Sequence, residues 1–196
     1  MKKFLLIFFL LNISVSAQFV KLGELKGIFM ATSAGARFPV GVFAETHNLG
    51  PGVDVALSYT DNIILPIFLY SKLGYQHLPG KQSYYLQSDV SSISTNFMTL
   101  DAGVRYYFKP VINQGIILMP VLEAGGSLGY TITQQQFRPA SGRTDLDESK
   151  FLFGFHAGGG FSMFLMDVTG HYNYFHEHQF FSFDLSVRIP IFATAN

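Results

Sequence analysis

The chain has 196 residues, enough for one ordinary domain, with a formal net charge of zero and a pI near 7.0. That balance excludes the strongly basic face a nucleic-acid binder needs, and the lack of cysteine excludes disulfides, thiolate metal sites and a cysteine nucleophile. Charged residues make up 13% of the chain and aromatics 16%, with 21 Phe, 10 Tyr and no Trp; such a composition suits a closed sheet whose outside faces lipid.

Residues 1–17 read as an export signal. Lys2 and Lys3 form a basic start, residues 4–11 an unbroken apolar run, and Val15-Ser16-Ala17 the small residues a signal peptidase reads. This predicts cleavage between Ala17 and Gln18 and one domain over 18–196. The apolar run is about ten residues, roughly half the length of a spanning helix. No later segment reaches that length without Gly, Pro or charge, so entry into a membrane would be by strands.

Eight segments then alternate with a period of two, the mark of strands with unlike faces. They are residues 28–38, 53–59, 64–77, 98–108, 116–133, 150–163, 165–175 and 181–191. The first is the weakest, with Ser33 and Arg37 on one face. The second alternates Val, Asp, Val, Ala, Leu, Ser, Tyr. The third sets Lys72 and Gln76 against Leu65, Ile67, Leu69, Leu73 and Tyr75, and the fourth sets Asp101 and Arg105 against Met98, Leu100 and Val104. The fifth opposes Glu123, Ser127 and Thr131 to Leu118, Leu122 and Leu128; the sixth opposes Lys150, His156 and Ser162 to Phe151, Phe153, Phe155 and Phe161. The seventh places Asp167, Thr169, His171 and Asn173 against Met166, Val168, Tyr172 and Tyr174. The eighth is the cleanest: Phe181, Phe183, Leu185, Val187, Ile189 and Ile191 alternate with Ser182, Asp184, Ser186 and Arg188. Connections at 60–63, 109–115 and around 164 are short. Those at 38–51, 78–95 and 134–149 are long and polar, while 176–178 is short. Apart from that last one, this is the pattern of short inner turns and longer outer loops in outer-membrane barrels. Pro39 is expected at a strand exit and Pro120 in a bulge.

The apolar rows are Phe, Leu, Ile and Val. The opposite faces carry sparse, balanced ions among Gly, Ser, Thr and Ala, which fit a narrow interior. The rows are therefore expected to face lipid. Arg37, Asp54, Lys72, Asp101, Arg105, Glu123, Asp167, His171, Asp184 and Arg188 are expected to form a polar network in the lumen, since buried ions survive only with satisfying partners. Tyr59, Tyr70, Tyr75, Tyr106, Tyr107, Phe108, Tyr130, Tyr172 and Tyr174 lie near strand ends and are expected in interfacial girdles. Lipid offers the backbone no hydrogen-bond partner, so the sheet must close. The expected fold is an all-β, eight-stranded antiparallel up-and-down transmembrane β-barrel.

Several motifs carry a family resemblance: Gly35-Ala36-Arg37-Phe38-Pro39, Asn48-Leu49-Gly50-Pro51-Gly52, Tyr59-Thr60-Asp61-Asn62, Leu73-Gly74-Tyr75 and Asp101-Ala102-Gly103-Val104-Arg105-Tyr106-Tyr107-Phe108. Over nearly all of 18–196 the chain resembles the small OmpA/OmpX-type outer-membrane barrels. It is most similar to the outer-membrane β-barrel domain proteins of Bacteroidota-like bacteria. The resemblance implies the bacterial outer membrane as its location and outer-membrane lipid and lipopolysaccharide as its surroundings. It also implies the barrel assembly machinery and periplasmic chaperones as partners during export, with Phe192 as the aromatic of the terminal assembly signal.

Few clusters suggest chemistry, and no cofactor is expected. His176-Glu177-His178, with His171 nearby, offers metal-ligating types, but no third ligand is assured and a solvated loop tip is the expectation. Gly170-His171-Tyr172-Asn173 invites comparison with barrel lipid A deacylases, which use His-x-Ser and a carboxylate; Asn173 stands where the serine would be and is no nucleophile. Asp145, Asp147 and Glu148, with Arg138 and Arg143, have the chemistry to meet divalent cations or lipopolysaccharide phosphates, though an exposed polar loop is expected. Gly158-Gly159-Gly160 sits mid-strand and reads as a bend or close packing. The expected role is non-enzymatic: envelope integrity or surface contact, with 78–95 and 134–149 as the recognition loops. The alternatives are a narrow pore, which inward ions would plug, a lipid-modifying enzyme, and a soluble lipocalin-like carrier with its apolar faces inward.

Overall fold

The computed structural model describes residues 26–61, 63–113, 116–163 and 165–194; the expected export segment, 1–17, lies outside them. The described strands are β1 (Lys26–Val40), β2 (Gly50–Thr60), β3 (Ile67–Pro79), β4 (Val90–Tyr107), β5 (Val111–Asn113), β6 (Ile116–Phe137), β7 (Leu146–Met163), β8 (Met166–Phe175) and β9 (Gln179–Thr194). All pairings are antiparallel. β4 pairs with β6, and β9 returns to β1 from Lys26↔Thr194 to Val40↔Gln179, so eight strands close into a ring. β5 is a three-residue strand on the base of β6. The fold is thus all-β, eight antiparallel strands in an up-and-down barrel.

The period of two sets the orientation. On β9 the odd residues from Phe181 to Ile191 are exposed, while Ser182, Asp184, Ser186 and Arg188 are buried. The neighbouring strands repeat this, with Val53, Val55, Leu57, Leu69, Leu73, Leu100, Val104, Leu122 and Leu128 exposed. The apolar rows therefore coat the outside, which removes the lipocalin-like alternative. Ten rises of ~3.3 Å give a row of about 33 Å along β9, or about 25 Å along a barrel axis at a ~40° tilt.

The strands run further than hydropathy predicts. β4 begins at Val90, β6 continues to Phe137 and β7 starts at Leu146. Much of 78–95 and 134–149, expected as loop, is therefore strand. Its Ser, Thr and Gln keep the ladder, from Val90↔Phe137 and Gln135↔Leu146 downward, without an apolar row to announce it. β3 reaches only Pro79↔Ser94 on β4, and β8 joins β7 only at Gly154↔Phe175. β4, β6 and β7 thus stand above the rest as a three-stranded fin.

Pro120 does not sit in a bulge. The β6–β7 register is unbroken from Met119↔Ser162 to Gln135↔Leu146, and the β4–β6 register ends one residue away at Val121↔Tyr107. The missing N–H faces the place where β4 departs. Pro39 lies beyond the last β1–β2 pair, Arg37↔Gly50, and Pro51 beyond the last β2–β3 pair, Gly52↔Gln76. Pro190 lies past the end of β8, beside the register shift at Ile28/Phe29. These strand prolines mark where a neighbouring strand has stopped.

The interior is layered. Toward the loop end Leu78, Phe97, Phe175 and Phe180 form a buried apolar layer with Phe43, which descends from the β1–β2 connection. Toward the turn end Phe68 packs against Phe29 and Tyr107, ring centroids 5.8 and 4.9 Å apart. Ions lie between. Tyr70 and Tyr107, expected in the girdles, are buried inside because they share the inward parity of Lys72 and Arg105.

Candidate functional site

The inward positions of neighbouring strands bring ions together in groups of opposite charge. Arg37 on β1 bridges two strands: Nη2 meets Asp54 Oδ2 on β2 at 2.7 Å and Nη1 meets Asp184 Oδ1 on β9 at 2.6 Å. Two glycines make room for it. A Cβ at Gly52 would lie 2.5 Å from Arg37 Nε, and one at Gly74 would lie 2.4 Å from Asp54 Oδ1. Lys72 and Asp101 are direct partners across β3–β4, with Nζ and Oδ2 3.3 Å apart. Arg105 meets its β6 partner Glu123 at 2.5 Å and reaches Asp167 on β8 at 2.9 Å, where Arg188 also binds. His171 Nε2 donates to the other Glu123 oxygen at 3.0 Å. Behind these, His156 contacts the Tyr70 hydroxyl and shares a 2.8 Å hydrogen bond with Ser127.

The ten lumen residues singled out in the sequence, four cations, five carboxylates and one histidine, fall into three contact groups: Arg37 with Asp54 and Asp184, Lys72 with Asp101, and Arg105 with Glu123, His171, Asp167 and Arg188. Within each group every ion is desolvated beside an opposite charge. At the deacylase-like position Asn173 Nδ2 donates to Ser182 Oγ at 3.1 Å, and His171 is occupied with Glu123.

Above the apolar layer lies a vestibule of about 350 Å³, lined among others by Phe43, His47, Tyr84, Glu148, Lys150 and His178. One wall is the one-turn helix Phe43–Thr46 and the residue after it. His47 is buried with both ring nitrogens committed, Nδ1 to Thr46 Oγ1 at 2.8 Å and Nε2 to Thr95 Oγ1 at 2.9 Å; Thr95 in turn bonds Thr133. Burial, and then the nearby His178, hold the His47 ring down at about 4. Burial likewise pushes His178 below the ordinary histidine value.

The remaining sequence candidates separate. The side chains of His176 and Glu177 are exposed and 3.8 Å apart, whereas His178 turns inward against Phe43 and Phe97. Glu177, at φ 63°, supplies the bend that splits them. Among the described residues no group of three or more His, Asp or Glu is placed to hold a metal ion. Arg138 donates to the Tyr85 carbonyl at 2.5 Å, Arg143 lies over the Phe137 ring, Asp145 accepts from the Phe137 amide at 3.0 Å, and Glu148 pairs with Lys150 at 3.0 Å. Asp147 is exposed on β7. Gly158, Gly159 and Gly160 stay in register with both β6 and β8, a site of close strand packing.

Sequence reasoning missed the apolar layer and the vestibule. Phe97, Phe175 and Phe180 share the parity of Thr99, Asn173 and Ser182, so continuing the polar rows would have found them. Phe43 and His47 carry no periodic signal.

No protein-family model and no curated protein matches the chain. Among solved structures it is similar to Neisserial surface protein A, at 14% identity over 84% of this chain and 97% of that one, with a TM-score of 0.48. It is also similar to Ail, the attachment invasion locus protein of Yersinia pestis, at 14% identity over 86% and 100% with a TM-score of 0.47. Ail in complex with the heparin analogue sucrose octasulfate gives 14% identity over the same shares and a TM-score of 0.44.

Proposed function

We propose that the chain is a non-enzymatic integral protein of the bacterial outer membrane, a barrel with a filled lumen that contributes to envelope integrity or surface contact. One observation carries this: the exposed face of the ring is a belt of Phe, Leu, Ile and Val, while the paired ions are inside. In water that belt would cost on the order of 25 cal/mol per Å² of apolar surface, whereas in lipid it is the matched surface. Exposed aromatics support the placement. Tyr59, Tyr106, Phe108 and Phe192 lie toward the turn end, and Phe38, Tyr75, Phe151 and Phe181 toward the loop end.

The same reading includes export through a cleaved peptide at 1–17, delivery by periplasmic chaperones and the barrel assembly machinery, contact with lipopolysaccharide, and kinship with the Bacteroidota-type barrels. Cell fractionation with gel migration before and after boiling tests it. The protein is expected in the outer-membrane fraction, migrating faster unboiled; recovery in the soluble fraction overturns the proposal.

The fin favours surface contact over a purely mechanical role. On β7, residues 146–153 pair with β6 on one side, while β8 begins only at Gly154↔Phe175 on the other. A strand edge of this kind offers backbone groups to an added strand.

A further inference from the structure

The β1–β2 connection, residues 41–49, is folded into the barrel mouth instead of away from it. Phe43 fills the space above Phe97 and Phe175, and its ring lies between two imidazoles, 4.4 Å from His47 and 5.0 Å from His178. His47 anchors the segment to β4 through Thr95. The remaining ties are few and lie at one edge: Asn48 N donates to Pro79 O at 2.8 Å, Lys81 N to Thr46 O at 2.8 Å, and Lys81 Nζ to Ala44 O at 3.2 Å. Val42 at its tip is exposed.

We propose that residues 41–49 form an acid-released lid over the vestibule, held shut by neutral His47 and His178 and freed when both rings take up protons. His47 is buried and His178 half-buried, and the two flank one phenyl ring. The charged and titratable groups around them are Lys81 and Tyr84 from the β3–β4 connection, Glu148 and Lys150 from β7, and His176 and Glu177 from the β8–β9 turn. Glu148 is paired with Lys150, and Glu177 lies beside His176 at the exposed edge. Two imidazolium ions, one of them buried, would then face each other across Phe43. Opening rehydrates both and exposes the Phe97 floor.

A ring held at about 4 in the closed lid and titrating near 6.5 when free stabilises closure above pH ~6.5, and that stabilisation is lost as pH falls toward 4. For His47 alone the ratio of open to closed lid grows about 70-fold between pH 7.5 and pH 4.5.

The chain has no cysteine, so spin labels on Val42→Cys and Leu146→Cys, both exposed positions, report the lid against β7 in detergent micelles. The expected result is one narrow distance at pH 7.5, broadening and lengthening at pH 4.5. In His47→Gln/His178→Gln the narrow distance should persist at both pH values, since Gln keeps hydrogen bonds and cannot titrate. An unchanged wild-type distance at pH 4.5 overturns the lid, as does equal broadening in the double variant. Should that variant already be open at pH 7.5, the wild-type His47 ring titration by NMR decides. Proton uptake tracking the distance change supports the proposal, and uptake near pH 6.5 with the lid shut overturns it.

Discussion

Arg37 is the residue on which the β2–β1–β9 seam turns. Its guanidinium is shared between Asp54 and Asp184 and buried to 1% exposure. Arg37→Met would leave two carboxylates desolvated without a counter-ion, at a cost of about 3–5 kcal/mol, measured as urea unfolding of the folded protein in micelles. Adding Asp54→Asn and Asp184→Asn should recover most of that loss, because the penalty lies in the stranded charges and not in the absent arginine. Gly52→Val tests the space the guanidinium needs: side-chain atoms would intrude where a Cβ alone comes within 2.5 Å of Arg37 Nε. The expected loss is about 1–3 kcal/mol, seen as a lower temperature for heat modification. Parity in the sequence put these ions on one face, but not which ion meets which. Asp101 and Arg105 stand four apart on one strand and look paired, yet Asp101 meets Lys72, and Arg105 meets Glu123 and Asp167. Partner choice depends on strand register and on reach across the lumen, and neither is written in the local pattern.

The eight barrel strands were legible wherever one face was apolar, because lipid and lumen impose opposite demands on alternate residues. Their upper ends were not. Above the belt both faces are wet, so residues such as Ser92, Ser94, Gln134 and Gln136 continue the ladder with no contrast to read. The prolines were a better guide than they looked, since each strand proline described above sits where a flanking strand has ended. The fin has a direct experimental signature. β7 has a neighbour on both sides over 154–163 and on one side over 146–153. Amide exchange should therefore divide the strand. Amides of 154–163 should be protected throughout, while 146–153 should show protected amides only where they bond to β6 and fast exchange where they face the open edge. Uniform protection across 146–163 would mean that something already covers that edge.

At the scale of the whole barrel, three layers lie in series along the axis. Phe43, Phe97, Phe175 and Phe180 close the loop end, the paired ions fill the middle, and Phe29, Phe68 and Tyr107 close the turn end. Eight strands leave an interior just wide enough for side chains, so each layer blocks water by itself. A hydrated ion would have to cross two apolar layers, where dewetting opposes it, and displace paired charges between them, where each stranded partner costs several kcal/mol. The refolded protein in a planar bilayer at neutral pH is thus expected to show no steady conductance. Because the barriers are in series, removing one should not open a path: Phe97→Ala/Phe175→Ala clears much of the upper layer and should remain closed. Large, stable openings in the native chain would show that the ionic layer yields to water, and the reading of the lumen as a packed core would fail with it.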